Sequence, residues 1–239
     1  MFVKNTGDFI TGSVFMDLEK IKQILFCEMH DKVTWLGEKS GKYYHGERVA
    51  ELALTLKSYI LPDDDGKHDD IIKVAGWFHD IMNGTGTDNH ALTGAEKTKI
   101  LLAEHCSEYE IREIYDIIYR HDDRYSDRNE FSVYAKIQQD ADHLDHFGTY
   151  YVWMYFFIAA NERKTIIEEI EQMKEDYIKY NVKYENELNF DISKKIYREK
   201  REFYRMFLER FKVEGTGGIW NDKFIFGNTS KVCGEEYHI

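Results

Sequence analysis

Proline is almost missing from this sequence: Pro62 is the only one in 239 residues. Proline ends helices and populates turns, so its scarcity beside 32% charged residues excludes collagen-like and Pro-rich chains and predicts long helices rather than a sandwich or barrel. Cysteine is scarce as well. Cys27, Cys106 and Cys233 are too scattered for a disulfide framework and show no CxxC metal spacing. No window approaches a membrane-spanning apolar run, and the start, MFVKNTGDFITGSVF, lacks a basic region followed by an apolar stretch. A cytoplasmic protein that neither spans a membrane nor is secreted is expected. Positive charge is in deficit too: 32 Lys and Arg stand against 44 Asp and Glu, a net charge of −12. That argues against a nucleic-acid backbone or an anionic membrane as the main partner, while leaving room for a local cationic pocket.

What is present reads as helices. After an irregular arm over 1–14, MDLEKIKQILFCEMHDKVTWL sets Leu18, Ile21, Ile24 and Leu25 on one face. A second helix runs from Tyr43 to about Ile60 with Val49, Leu52, Ala53 and Leu56 in period, closed by the loop LPDDDGKHDD. Further helices are predicted over about 69–82, 90–105 and 108–121, then one long apolar-rich helix from Ser132 to Ala160. Two charged amphipathic helices fill 164–214, the second capped by Asp191 or Ser193. The last 25 residues, rich in glycine, read as an irregular end. The fold class is therefore all-α. With 43% hydrophobic residues, the length suits one sizeable core domain with a helical extension.

Three of the ten histidines sit on apolar faces. His45 continues the stripe of Val49, His79 that of Ile72, Ala75 and Gly76, and His121 that of Ile114 and Ile118. Each alone reads most simply as a core imidazole bonded to a carbonyl. Together with a carboxylate, inward imidazoles from separate helices are the ligand set of a divalent metal. The segment QQDADHLDHFG supplies Asp140, Asp142 and Asp145 among apolar neighbours, where carboxylates are costly unless paired or metal-bound. Periodicity alone favours Asp140 over Asp142, because Asp140 continues Val133 and Ile137. His146 lies one turn from Asp142, a spacing that also suits an Asp/His metal pair.

The order His45 in HGERV, then His79–Asp80, then Asp142 in DADHLD resembles the HD-domain metal-dependent phosphohydrolase superfamily, most closely its small bacterial members, with His90 in HALTGA and His121 in IIYRHDD. The resemblance spans about 30–160 and implies an HD-type helical bundle. It divides the chain into an arm and first helix at 1–29, an HD core at 30–160, and a helical extension with a tail at 161–239. By the same resemblance His45, His79, Asp80 and Asp142 bind a divalent ion (Mn, Ni, Fe, Co, Zn or Mg), one per chain being favoured, and Asp80 also acts in catalysis. His90 and His121 either ligate a second ion or face the substrate phosphate and protonate the leaving group. His143 and His146 are not ligands in that family. Where many members place an acid a few residues after the HD pair, this chain has Asn83, and the next acid, Asp88, falls in a loop.

Arg48, Lys97 and Arg124 are the residues expected to bind substrate phosphate, with Arg120 beside His121. The alternatives are a helix–helix salt bridge for Arg48 and solvated surface for the others. His30, His68, His105 and His238 are expected at the surface. YYVWMYFF, at 150–157, is expected to be core, with Tyr150 or Tyr151 as alternatives for base stacking. The function expected is hydrolysis of a small phosphorylated compound, a nucleotide in the first instance, with a homodimer compatible with the tail helices. Competing readings are a two-metal cyclic-nucleotide or oligonucleotide phosphodiesterase, a non-catalytic metal- or nucleotide-binding module, and a helical interaction protein with structural histidines.

Overall fold

The computed structural model describes residues 16–221 except Trp35, Thr87 and Tyr125, with side chains omitted at 180–182. The arm at 1–14, most of the glycine-rich tail, Cys233 and His238 lie outside the described residues. Among those described, all regular structure is helical apart from a single bridge between Val33 and Lys39. No described helix is long and apolar enough to cross a membrane.

The order is α1 (Leu18–Met29), α2 (Gly41–Ile60), α3 (Asp69–Phe78), α4 (His90–Leu101), α5 (Glu108–Arg120), a 3-10 turn (Arg128–Glu130), α6 (Val133–Asp145), α7 (Thr149–Glu162), α8 (Ile166–Asn186) and α9 (Asp191–Gly215). Local chemistry sets many of these starts. Asp17, Asn89 and Ser132 each accept an orphan N–H of α1, α4 and α6, and Ser107–Glu110 and Thr165–Glu168 form reciprocal capping boxes on α5 and α8. The first helix ends at Met29, well short of Leu36.

The single helix expected over 132–160 is two. Gly148 adopts φ 76° and ψ −133°, a conformation open to glycine, and breaks the chain between α6 and α7. The apolar run beyond it is core only in part: Tyr155 is buried, with Tyr151 and Val152 packed beside it, while Trp153 and Phe156 are exposed. The cap of α9 also differs from expectation. Phe190 occupies the position, Asp191 is the first helical residue, and Ser193 is fully buried. His30, His68 and His105 are half-buried rather than at the surface, His68 through stacking on Tyr134 and a 2.9 Å hydrogen bond with the Tyr109 hydroxyl.

Two cores flank α2 and α3, which pack on each other more extensively than any other pair. One unites α1, α3, α4 and α5 around Leu25, Phe78, Leu102 and Ile118. The other unites α2, α6 and α9 around Leu56, Ile72, Leu144 and Tyr197. A third cluster, with Tyr155, Met173 and Tyr204, joins α7, α8 and α9. The approach of α2 to α3 is set by glycine on both sides. A Cβ on Gly46 would lie 2.7 Å from the Trp77 carbonyl oxygen, and one on Gly76 would lie 2.7 Å from Ala50 Cα. Two bare positions thus draw together the helices that carry His45 and His79.

A candidate metal centre

His45 sits one turn into α2, and His79 and Asp80 follow the last turn of α3. His121 closes α5, His90 opens α4, and Asp142 projects from α6. Their side chains converge. Asp142 Oδ1 is 3.1 Å from His45 Nε2 and 3.5 Å from His79 Nε2, and Asp80 Oδ2 is 3.8 and 3.7 Å from the same two nitrogens. Asp80 Oδ1 turns the other way, 3.6 Å from His90 Nε2 and 3.7 Å from His121 Nε2. His45, His79 and His121 are each no more than 2% exposed, and His90 is 25% exposed.

The outer nitrogen of each buried ring is fixed. His79 Nδ1 donates to the Gly76 carbonyl at 2.8 Å, His121 Nδ1 to the Ile118 carbonyl at 2.6 Å, and His45 Nδ1 to Asp145 Oδ2 at 2.8 Å. With Nδ1 carrying the proton, the neutral ring presents a lone pair at Nε2. His45 and His79 then oppose two lone pairs at 3.2 Å, and His90 and His121 bring their Nε2 atoms to 3.3 Å. Such pairs repel unless a cation or proton lies between them. Imidazole lone pairs, carboxylates and outer partners that hold the tautomer are together what a divalent ion requires, so the residues fit one. Among the described residues two overlapping groups have this capacity: His45, His79 and Asp142, and His79, Asp80 and His121.

Electrostatics keep the carboxylates ionised. Burial pushes the Asp80 carboxyl up, but the imidazoles of His79 and His121 and the Lys42 amine beside it hold it well below the ordinary range. Burial is likewise outweighed at Asp142 by the imidazoles of His146, His45 and His79 around it, and at Asp145, where His45 and Arg48 bring the carboxyl down to about 2. Asp140 behaves in the opposite way, being raised by burial. It does not face the centre. Its carboxylate accepts from the Asn189 N–H at 2.8 Å, the Asn189 side-chain amide at 2.8 Å and the Phe190 N–H at 3.1 Å, pinning the turn into α9.

The remaining residues divide. Arg124 comes to the rim, 3.8 Å from Asp142 Oδ2, and donates to the Gln139 carbonyl at 3.1 Å. Arg48 forms the helix–helix salt bridge, bonding Asp145 through Nε at 2.9 Å and an outer nitrogen at 2.8 Å. The structure does not bring Lys97 and Arg120 into the cluster: Lys97 pairs with Glu28 at 2.6 Å and Arg120 with Asp116 at 2.8 Å. Asn83 donates to Asp80 Oδ1 at 2.9 Å, and Asp88 is exposed. His143 turns its Nε2 to the Tyr184 carbonyl at 3.1 Å, and burial pulls its pKa down to about 4. His146, 49% exposed, stacks on His45 and reaches 3.6 Å from Asp142. Sequence reasoning missed Lys42, whose amine contacts Asp80 Oδ2. Its position one turn before His45, on the same face of α2, is the signal that could have found it.

The HD domain family model matches residues 43–146. Among solved structures, a predicted HD superfamily hydrolase from an uncultured Thermotogales bacterium is similar at TM-score 0.58 and 22% identity, covering 84% of this chain and 94% of that one. An HD-superfamily hydrolase from Bacillus thuringiensis is similar at 0.58 and 21%, covering 84% and 98%. Bacillus subtilis YpgQ, solved in complex with ADP, is similar at 0.58 and 18%, covering 82% and 95%. These likenesses show a shared fold. No curated protein matches the chain.

Proposed function

We propose that the protein is a metal-dependent phosphohydrolase acting on a small phosphorylated compound of the nucleotide class. The observation that carries this reading is Asp80, whose two oxygens face two separate histidine pairs, His45–His79 and His90–His121. A divalent ion held by His45, His79, Asp80 and Asp142 would supply Lewis acidity and a water activated at neutral pH. The protein's own groups do the rest. Lys42 beside Asp80 and Arg124 beside Asp142 can neutralise phosphate oxygens. His90 is the most exposed of the four cluster histidines and is placed to protonate a leaving group. Asn83 holds Asp80 through its amide and takes no proton. On a chain of net charge −12, this local cationic rim favours a small anion over a nucleic acid. That YpgQ was solved with ADP supports the nucleotide class.

A two-ion arrangement is the second reading. Asp80 Oδ1, His90 and His121 form the additional acidic and imidazole donor set that a second ion needs, with Asp80 shared between the two positions.

The test is a screen of nucleoside triphosphates, deoxynucleoside triphosphates, monophosphates and cyclic nucleotides against protein reconstituted with Mn, Co, Ni, Fe, Zn or Mg. Metal-dependent turnover of at least one class, abolished in Asp80→Ala, is expected. Tight binding of one member without turnover of any would overturn the enzyme reading in favour of a binding module.

A further inference from the structure

A cavity of about 360 Å³ opens beside the cluster. Lys42 and His45 line it, and both belong to the cluster as well. The rest of the lining is mostly apolar and aromatic, with Phe147, Tyr150, Tyr184 and Met154, and includes the imidazoles of His143 and His146. Among the described residues no carboxylate lines it. Phe147 and Tyr184 lie 5.5 Å apart between ring centroids, and the Arg48 guanidinium sits 4.4 Å over Tyr150, which orders that ring without placing a charge among the lining residues. The domain match ends at 146, so Phe147, Tyr150, Met154 and Tyr184 all belong to the part of the chain that follows it.

We infer that this cavity seats the organic group of the substrate and takes a neutral aromatic base of the kind a nucleoside carries, with α7 and α8 as the elements that choose it. The volume lies at the lower end of the range for small-molecule pockets, roughly 300–1,000 Å³. Aromatic walls favour a flat π-face, and a thioether adapts to its edge. Without a carboxylate the cavity offers no ion-pair partner to a cationic group. Cationic Lys42 stands between cavity and cluster, so a phosphate joined to the ring falls at the centre. The inference rests on the phosphohydrolase reading for where the phosphate lies, but ring binding itself needs neither metal nor turnover.

The experiment is therefore a titration of the full chain with adenosine, guanosine, cytidine, uridine and thymidine, with cyclohexanol as an aliphatic control, read by ligand-observed NMR. Wild type and Asp142→Ala are expected to bind at least one nucleoside alike. Met154→Trp, which fills the cavity, and Tyr184→Leu, which removes a wall, each weaken that binding by about tenfold or more. Melting curves of both variants are recorded so that either one remaining folded suffices. Binding of no nucleoside, binding no tighter than cyclohexanol, or unchanged binding in a folded variant overturns the inference. Nucleoside binding in a protein that hydrolyses no phosphate ester or anhydride overturns the hydrolase reading alone.

Discussion

Asp145 accepts the Nδ1 proton of His45 at 2.8 Å while the same carboxylate is clasped by Arg48. The arrangement orients an imidazole from behind, leaving Nε2 for the centre, and makes Asp145 a positioning residue. Asp145→Asn keeps an acceptor for His45 but loses the charge. It is expected to weaken divalent-metal affinity by roughly 10–100-fold with the fold retained, as measured by competition against a chromophoric chelator. Unchanged affinity would remove Asp145 from the account.

Asp140 and Asp142 are two residues apart and do unrelated work. Asp140→Ala strips three hydrogen bonds from the turn into α9 and is expected to cost about 1–3 kcal/mol of stability with metal binding intact. Asp142→Ala is expected to do the reverse, abolishing binding at the first site with little loss of stability. Denaturant unfolding beside metal titration separates the two.

The different fates of this pair show what the sequence could reveal. Inward histidines were legible because apolar stripes on α2, α3 and α5 point at the core, and the core is where the centre lies. Asp140 is indeed buried, as periodicity says, but its partners are Asn189 and Phe190, some fifty residues away, and no local pattern announces them. The same holds for Lys97, whose partner Glu28 comes from α1, and for Lys42, which meets Asp80 only through the close packing of α2 on α3. The break at Gly148 was hidden by the apolar run that follows it, which looks like continued core but lines a cavity and part of the surface. Helix existence was therefore readable throughout, while helix ends and long-range polar partners were not.

Gly76 sits where α3 meets the backbone of Ala50. Gly76→Ala adds a methyl that neither helix can accommodate in place, and overpacking of this kind costs about 1–3 kcal/mol. Because the helices must part, His45 and His79 part too. A lower melting temperature together with weaker metal binding is expected, and a variant as stable and as metal-avid as wild type would contradict the proposed role of the close approach.

A pH response is expected far from the centre. The hydrogen bond from Lys57 holds the Asp64 carboxyl down at about 2 against an ordinary 3.8, with the Gly66 N–H and the Tyr134 hydroxyl adding to it. A carboxyl depressed by folding stabilises the native state above its unfolded pKa, and that contribution fades as pH falls from about 3.8 through about 2. Asp64→Asn should therefore melt below wild type at neutral pH, with the gap narrowing as the medium is acidified below pH 4. A gap constant down to the acid limit would show that the charge on Asp64 contributes nothing.

The central claim is that helices α2, α3 and α6 hold a divalent ion between them. Its most direct test is elemental analysis of protein stripped with chelator, reloaded with manganese and desalted, with Asp80→Ala treated identically. The account predicts about one equivalent or more in wild type and loss of that metal in the variant. Wild-type protein that stays metal-free after reloading with manganese, nickel or iron would contradict it.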